Sequence, residues 1–258
     1  MEPIQTLYER VPAPPDSLPP ALAVAYDGGF VVPDGQPGER PYVLVNFIES
    51  LDGAIAYTQP GEPYQGTVGG KSDTDHMVMG ILRARSDAVI FGSGSLREDK
   101  GHVHTPAFVS PPQAEAYAAY RAMLGKAETQ PISVVMSGSG VVPLDEPTFH
   151  TPGLRAVAAT ADGAVDVLAM LRLLADDYGV RVAVNEGGPL VLASFLAAGA
   201  VDELFLTLAP QLVGRTAAVP RRALVEGVAF TSKTAPNAQV LSVKQAENHV
   251  FLRYAIGT

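Results

Sequence analysis

Asp52 and Glu186 are the two carboxylates of this sequence that are best placed to do chemistry. Each follows a predicted strand and directly precedes a glycine, so each can reach a ligand without burial among apolar neighbours. A carboxylate accepts hydrogen bonds from paired N–H donors, and we therefore expect Glu186 to recognise a polar heterocycle. The alternatives are structural: Asp52 would cap a turn, and Glu186 would accept the amides of the helix that it precedes.

Four short loops of small and polar residues follow four of the predicted strands, at residues 49–53, 92–95, 137–140 and 186–189. Ligands of open α/β sheets bind beyond the carboxyl ends of the strands, where such loops converge. The last loop places two glycines before Pro189, a pattern typical of a helix start whose free amides suit phosphate. The loops together predict a phosphate or pyrophosphate site; an ordinary strand-to-helix turn is the alternative for residues 186–189.

The familiar nucleotide-binding motifs are incomplete. Arg97 and Pro143 stand where the two Gly-x-Gly segments need the last glycine of the dinucleotide fingerprint. The Gly-Lys-Ser segment at residues 70–72 resembles the end of a P-loop, but Gln65 stands where the first glycine belongs. A standard Rossmann domain, a kinase and an ATPase are therefore disfavoured.

Hydrolase and metal chemistry are disfavoured as well. The sequence has no Gly-x-Ser-x-Gly elbow, and none of its five histidines has an evident orienting partner. His102 and His104 could present two imidazoles on one face of an extended segment, but no third ligand is apparent, so we expect solvent-exposed loop histidines and no metal. Cysteine is absent, which removes disulfides, thiolate nucleophiles and Cys-based zinc sites.

The charge balance excludes other classes of partner. The 258 residues include 18 Lys and Arg against 27 Asp and Glu, which gives a net charge of −9, opposite to that of a protein for nucleic acid or an anionic membrane. The longest uncharged apolar stretch, residues 187–201, is shorter than the roughly 20 residues of a spanning helix. No secretory signal is visible at the N-terminus, and we predict a cytoplasmic protein.

Short apolar runs alternate with helical patterns from Tyr42 onward. We predict strands at residues 42–48, 88–91, 132–136, 155–159 and 181–185, and helices at residues 72–85, 112–124, 164–178 and 189–198. Repeated strand–helix–strand order predicts an α/β fold with a mostly parallel central sheet and helices on both faces. Later runs, at residues 203–208, 228–232, 240–244 and 249–256, predict antiparallel C-terminal strands of the same sheet.

The chain is predicted to contain two parts. Residues 1–41 hold nine of the 22 prolines and form a proline-rich N-terminal arm, and residues 42–258 form a single domain. We expect the arm to wrap over the domain, a loose tail being the alternative. The apolar residues that favour docking are Leu7, Tyr8, Leu22, Val24 and Phe30.

Four ordered segments resemble the pyrimidine reductase family of riboflavin biosynthesis, a dihydrofolate-reductase-like domain found alone or fused behind a pyrimidine deaminase. The segments are NFIESLDG (46–53), LRARSDAVIFGSGS (82–95), NEGGP (185–189) and APQLVG (209–214). The resemblance covers residues 42–254. It implies a homodimer and an NADPH-dependent reduction in which hydride passes to C1′ of 5-amino-6-(5-phosphoribosylamino)uracil or of its deaminated precursor analogue.

The resemblance also implies roles for individual residues. Asp52 and Glu186 would be catalytic, and the substrate would contact Asn46, Ser50, Arg83 and Glu186. The NADPH cofactor would contact Ile48, Gly92, Gly94, Ser95, Asp99, Ser137, Gly187, Gly188, Pro189, Leu190 and Val191.

The chain departs from the family pattern in three respects. It lacks the cysteines of the fused deaminase, and it has Asn46 where fused bacterial reductases carry lysine, as in the stand-alone archaeal and fungal branch. After Asp99 it lacks the family's Asp-Pro-x-Leu-Thr-x-Arg segment, whose Arg meets the substrate phosphate. Lys100, His102 and His104 are the candidates to replace that Arg. The alternatives are a reductase of a pterin or other heterocycle and a nucleotide- or flavin-binding protein without turnover.

Overall fold

The protein is described by a computed structural model that covers residues 2–57, 68–69 and 72–257. Most of the P-loop-like motif, residues 65, 70 and 71, lies outside these ranges. Within them the chain forms one nine-stranded sheet of order β1-β8-β9-β7-β2-β6-β3-β4-β5. The strands are β1 (Gln5–Glu9), β2 (Tyr42–Ser50), β3 (Ala88–Gly92), β4 (Ile132–Ser137), β5 (Ala156–Thr160), β6 (Val182–Asn185), β7 (Glu203–Ala209), β8 (Ala238–Ala246) and β9 (His249–Ile256).

The predicted strand directions are confirmed. Six neighbouring strands, β7-β2-β6-β3-β4-β5, pair in parallel. The strands β9, β8 and β1 continue the sheet in antiparallel pairing. The carboxyl ends of β2, β3, β4 and β6 therefore meet at one edge, and the four small-residue loops lie there as predicted.

Helices cover both faces of this sheet, as expected for parallel strands. Alternate residues of β2 separate into two cores: Leu44 packs with residues of α2 and α5, whereas Val43 and Val45 pack with residues of α6 and α7. The helices are α1 (Pro20–Tyr26), α2 (Asp73–Arg85), α3 (Ser93–Glu98), α4 (Pro106–Val109), α5 (Ala114–Met123), α6 (Val167–Tyr178) and α7 (Pro189–Ala197).

The N-terminal arm packs on the sheet and is not a loose tail. Strand β1 pairs with β8, and Leu22 and Phe30 are buried in the core together with α2. Leu7, Tyr8 and Val24 remain exposed. No strand or helix was predicted in this arm, because prolines disfavour both. Tertiary packing nevertheless stabilises the short elements β1 and α1.

Two other predictions are wrong. Residues 93–95, expected as part of a loop at residues 92–95, begin helix α3, and residues 228–232, expected as a strand, contain none. The second error has a topological reason: β8 is paired by β9 on one side and by β1 on the other, so the alternating run at residues 228–232 finds no free edge there.

No helix among the described residues has both the length and the apolar character that crossing a bilayer requires.

Candidate functional site

A cavity of about 430 Å³ opens at the carboxyl edge of the sheet. Its wall is formed by α2, by the ends of β2 and β6, and by the first residues of α7. The segment that contains His102, His104 and Phe108 closes another side. Ligands of open α/β sheets bind at this edge, so we take the cavity as the candidate active site.

The structure brings together about half of the residues that the resemblance implicated. Those that line the cavity are Asn46, Ile48, Arg83, Ser95, Asp99, Glu186, Gly187, Gly188 and Pro189. Those that do not line it are Ser50, Asp52, Gly92, Gly94, Ser137, Leu190 and Val191.

Arg83 and Glu186 form a buried ion pair in the cavity wall. The Arg83 Nε atom lies 2.9 Å and 3.1 Å from the two carboxylate oxygens of Glu186, and Nη2 lies 2.7 Å from Oε2. Their side chains are 2% and 9% exposed. Burying two charges is costly unless each is well paired, so this contact holds α2 against the end of β6.

A chain of hydrogen bonds extends from this pair to α3. The Arg83 Nη2 atom lies 3.1 Å from His102 Nε2, and His102 Nδ1 lies 2.8 Å from Asp99 Oδ2. Since a guanidinium only donates, Nε2 must accept, which assigns the ring proton to Nδ1 and directs it to Asp99. The hydrogen bond from His102 lowers the pKa of Asp99. His102 is therefore a neutral acceptor for Arg83.

His104 is buried and stacked on Phe91, with ring centroids 3.6 Å apart. Burial holds the pKa of His104 well below its usual value, so the ring is uncharged at neutral pH. The prediction of exposed loop histidines is thus wrong. Neither histidine offers a positive charge to a substrate phosphate, and Lys100 is exposed and does not line the cavity.

Asp52 has the turn-capping role that was the alternative to catalysis. Its carboxylate accepts hydrogen bonds from Ser50 Oγ at 2.6 Å and from the amides of Val213 and Gly214 at 3.0 Å and 2.7 Å. These donors, the Ser50 hydroxyl first, hold its pKa far below the usual value. Both side chains fasten the 213–214 backbone to the end of β2, and we favour this structural role; the catalytic role of Asp52 and the substrate contact of Ser50 stay predictions.

Replacing Asp52 by asparagine should lower the melting temperature at about pH 7 and leave turnover nearly unchanged. A folded-state pKa below the unfolded value of 3.8 stabilises the protein above that value, and the gain is lost as the pH falls through the folded-state pKa. The difference between the two melting temperatures should therefore begin to shrink below about pH 4 and should still be present at about pH 3. A large drop in turnover with an unchanged melting temperature would restore the catalytic assignment.

The start of α7 meets the requirements of a phosphate-binding helix terminus. Gly188 is its N-cap without a side-chain cap, and Pro189 occupies its first turn. A Cβ atom at Gly187 would lie 2.6 Å from Val191 Cγ1, so this position requires glycine. The Gly187 amide donates to Asn185 Oδ1 at 2.8 Å, the Val191 amide donates to the Gly188 carbonyl at 2.9 Å, and Pro189 has no N–H. The Gly188 and Leu190 amides are therefore the candidate donors to a ligand at the positive end of the helix dipole.

The other predicted cofactor contacts support the fold around this edge. Val191 packs against Gly187 and Gly92, and Leu190 is 64% exposed. Ser137 donates its hydroxyl hydrogen to the Val141 carbonyl at 2.8 Å. A Cβ atom at Gly94 would meet nothing within 4 Å, so Gly94 lies beside open space.

Sequence reasoning missed the contribution of α2 to the cavity. Asp75, His76 and Met79 line it together with Arg83. Asp75, Met79 and Arg83 are spaced by four residues and therefore share one face of the helix. This spacing could have identified Asp75 and Met79 from the sequence, because the helix was predicted and Arg83 was already predicted to contact the substrate. No cluster of three or more metal-ligating side chains occurs in the described parts of the chain.

A model of the RibD C-terminal domain family matches residues 41–252. The chain is 26% identical to the 2,5-diamino-6-ribosylamino-4(3H)-pyrimidinone 5′-phosphate reductase of Archaeoglobus fulgidus over 195 residues, which cover 68% of this chain and 83% of that protein. It is also 26% identical to the riboflavin biosynthesis protein RibD of Aquifex aeolicus over 194 residues, 68% of this chain and 48% of that protein. The chain thus spans about half the length of the Aquifex protein.

Solved structures share the fold. Form 1 of Acinetobacter baumannii RibD superposes with a TM-score of 0.64 at 21% identity, over 85% of this chain and 59% of that chain. A pyrimidine reductase-like protein of Corynebacterium diphtheriae superposes with a TM-score of 0.63 at 21% identity, over 84% of this chain and 92% of that chain. The predicted fold class is therefore confirmed.

Proposed function

We propose that this chain, which belongs to the RibD C-terminal domain family, is an NADPH-dependent reductase that transfers hydride to C1′ of a phosphorylated ribosylaminopyrimidine. One observation carries the proposal: a single cavity joins the capless start of α7 to the buried Arg83–Glu186 pair. The name of the Archaeoglobus relative, a pyrimidinone phosphate reductase, supports the same reaction class.

The start of α7 would hold the cofactor. The amides of Gly188 and Leu190, on either side of Pro189, would donate to its pyrophosphate, and Ser95 and Asp99 line the same cavity. NADPH would supply the hydride, and the protein would orient the acceptor carbon against it. A hydride supplied by the cofactor requires no protein nucleophile. This agrees with the described cavity wall, which contains the Arg83–Glu186 ion pair and the imidazoles of His102 and His104.

The phosphoryl end of the acceptor lacks an evident cation. Arg83 is the only Lys or Arg among the described residues that line the cavity. Its guanidinium already contacts Glu186, His102 and the Thr105 carbonyl. We therefore assign no phosphate contact to Arg83.

Purified protein should oxidise NADPH when it is mixed with 2,5-diamino-6-ribosylamino-4(3H)-pyrimidinone 5′-phosphate. The loss of nicotinamide absorbance measures this reaction, and NADH in place of NADPH tests cofactor choice. A dihydropterin serves as the competing acceptor. NADPH binding without oxidation by either acceptor would overturn the reductase function and favour a nucleotide-binding protein without turnover.

The homodimer remains a prediction. Strand β1 covers the edge of β8, which leaves β1 and β5 as the outer strands of the described sheet. The molar mass in solution tests this prediction, and a value equal to one chain of 27.0 kDa would contradict it.

A further inference from the structure

Asp75 is a second buried carboxyl group in the cavity wall. It lies in the first turn of α2, is 7% exposed and lines the cavity. It accepts a hydrogen bond from the Thr207 hydroxyl. No salt bridge to Asp75 occurs among the described residues, whereas Glu186 is held by Arg83. Among the described residues, Asp75 thus has hydrogen-bonding capacity that its hydrogen bond from Thr207 does not use.

A helix-capping role does not account for Asp75. In a capping box its carboxylate would accept the backbone amide of Ser72, three residues earlier. That amide instead points to the Gly69 carbonyl at 3.3 Å. Burial raises the pKa of Asp75, so the carboxylate costs the folded protein stability at neutral pH. A group kept at such a cost in a cavity is a candidate for ligand binding.

Glu186 is poorly suited to the role that the sequence predicted for it. Both of its oxygens already face Arg83, at distances of 2.7–3.1 Å. A ring with two parallel N–H donors binds a carboxylate through both oxygens at once. Arg83 already binds Glu186 in this way. Asp75 lines the cavity together with Asn46 and Ile48 of β2, and Ile48 pairs with Thr207, the hydrogen-bond donor to Asp75.

We propose that Asp75, and not Glu186, binds the donor edge of the heterocycle and selects a ring that carries an amino group beside a ring N–H. The inference rests on the proposed reductase function and narrows its acceptor. A 2-aminopyrimidin-4-one presents two parallel donors to a carboxylate, whereas a uracil presents a carbonyl oxygen at the amino position. The uracil would place one acceptor against another and leave the buried carboxyl group unsatisfied.

The probes are 2,5,6-triaminopyrimidin-4(3H)-one and 5,6-diaminouracil, which differ at C2, an amino group against a carbonyl oxygen, and at N1, which carries a hydrogen only in the uracil. Calorimetric titration of the full chain, with and without NADPH, should show about 10-fold to 100-fold tighter binding of the triamino ring. Asp75→Asn should lose most of this preference. Asp73→Asn, an exposed neighbour in the same helical turn, should retain it.

Thermal unfolding distinguishes a lost contact from a lost fold. Asp75→Asn should raise the melting temperature by a few degrees at about pH 7, because the amide removes a buried carboxylate. Since the folded-state pKa of Asp75 is raised, this difference should shrink as the pH falls towards 3.8. Thr207, His76, His249 and Glu186 are the groups that influence Asp75, and the variant leaves them in place. If Asp75→Asn does not fold, Asp75→Ser replaces it.

Three outcomes would overturn the inference: equal binding of the two rings, binding of neither ring, and an unchanged preference in Asp75→Asn. The reductase function is judged separately. A preference that depends on Asp75 without NADPH oxidation would retain this inference and overturn the function. NADPH oxidation together with a ring preference that is unchanged in Asp75→Asn would retain the reductase function and overturn this inference.

Discussion

Replacing Arg83 by methionine should abolish NADPH oxidation and lower the free energy of unfolding by about 3–5 kcal/mol. Methionine fills part of the space of the arginine with an apolar side chain. It leaves the Glu186 carboxylate, which is 9% exposed, without its cation. It also removes the donor to His102 and the hydrogen bond to the Thr105 carbonyl at 3.2 Å. Urea unfolding measures the stability, and the absorbance assay measures the activity.

The double variant Arg83→Met/Glu186→Gln is the matched control. It removes the unpaired charge, so most of the lost stability should return although activity should not. If the single variant is as stable as the unmodified protein, the Arg83–Glu186 pair is not a tightly paired buried contact. If the double variant is no more stable than the single one, the lost stability comes from altered packing and not from the unpaired Glu186 carboxylate.

Replacing Leu22 by alanine should lower the free energy of unfolding by about 2–5 kcal/mol. Leu22 is fully buried, in the same core as Phe30, Leu44 and Phe205, so truncation leaves a cavity beneath the N-terminal segment. The same urea titration measures the effect.

Val24→Ala provides the comparison within α1. Val24 is 73% exposed, and its truncation should change the stability by no more than about 0.5 kcal/mol. Equal effects of the two variants would mean that the arm contributes little to the core. A selective effect of Leu22→Ala would make residues 1–41 part of the folding unit and contradict their separation from residues 42–258.

The segment after Asp99 has a different task from the one that its position in the family suggested. His102 contacts Asp99 and Arg83, and His104 stacks on Phe91 within the wall. Both rings are uncharged in these environments, as the donor geometry at His102 and the burial of His104 require. The segment therefore supports the Arg83–Glu186 pair and lines the cavity, whereas its cation, Lys100, is not among the described residues that line it.

The local pattern of the sequence was sufficient to predict most of the sheet. The run at residues 249–256 corresponds to β9 without change, and α6 ends at Tyr178, the last residue predicted for this helix, where Gly179 adopts the left-handed conformation. These features depend on side-chain periodicity and on the backbone freedom of glycine, which act between neighbours in the chain. Helix α1 was missed because its seven residues become stable only when Leu22 and Tyr26 are buried against other elements.

The sequence by itself also determined where the chemistry lies, because four small-residue loops must meet where four parallel strands end. Only the tertiary structure decided what each carboxylate does there. Glu186 meets Arg83, 103 positions away, and Asp52 meets the Val213 amide, 161 positions away. Asp75 lines the cavity and forms no salt bridge with any of the described residues. The role of a carboxylate depends on the donors around it, and these donors come from elements that the chain brings together only when it folds.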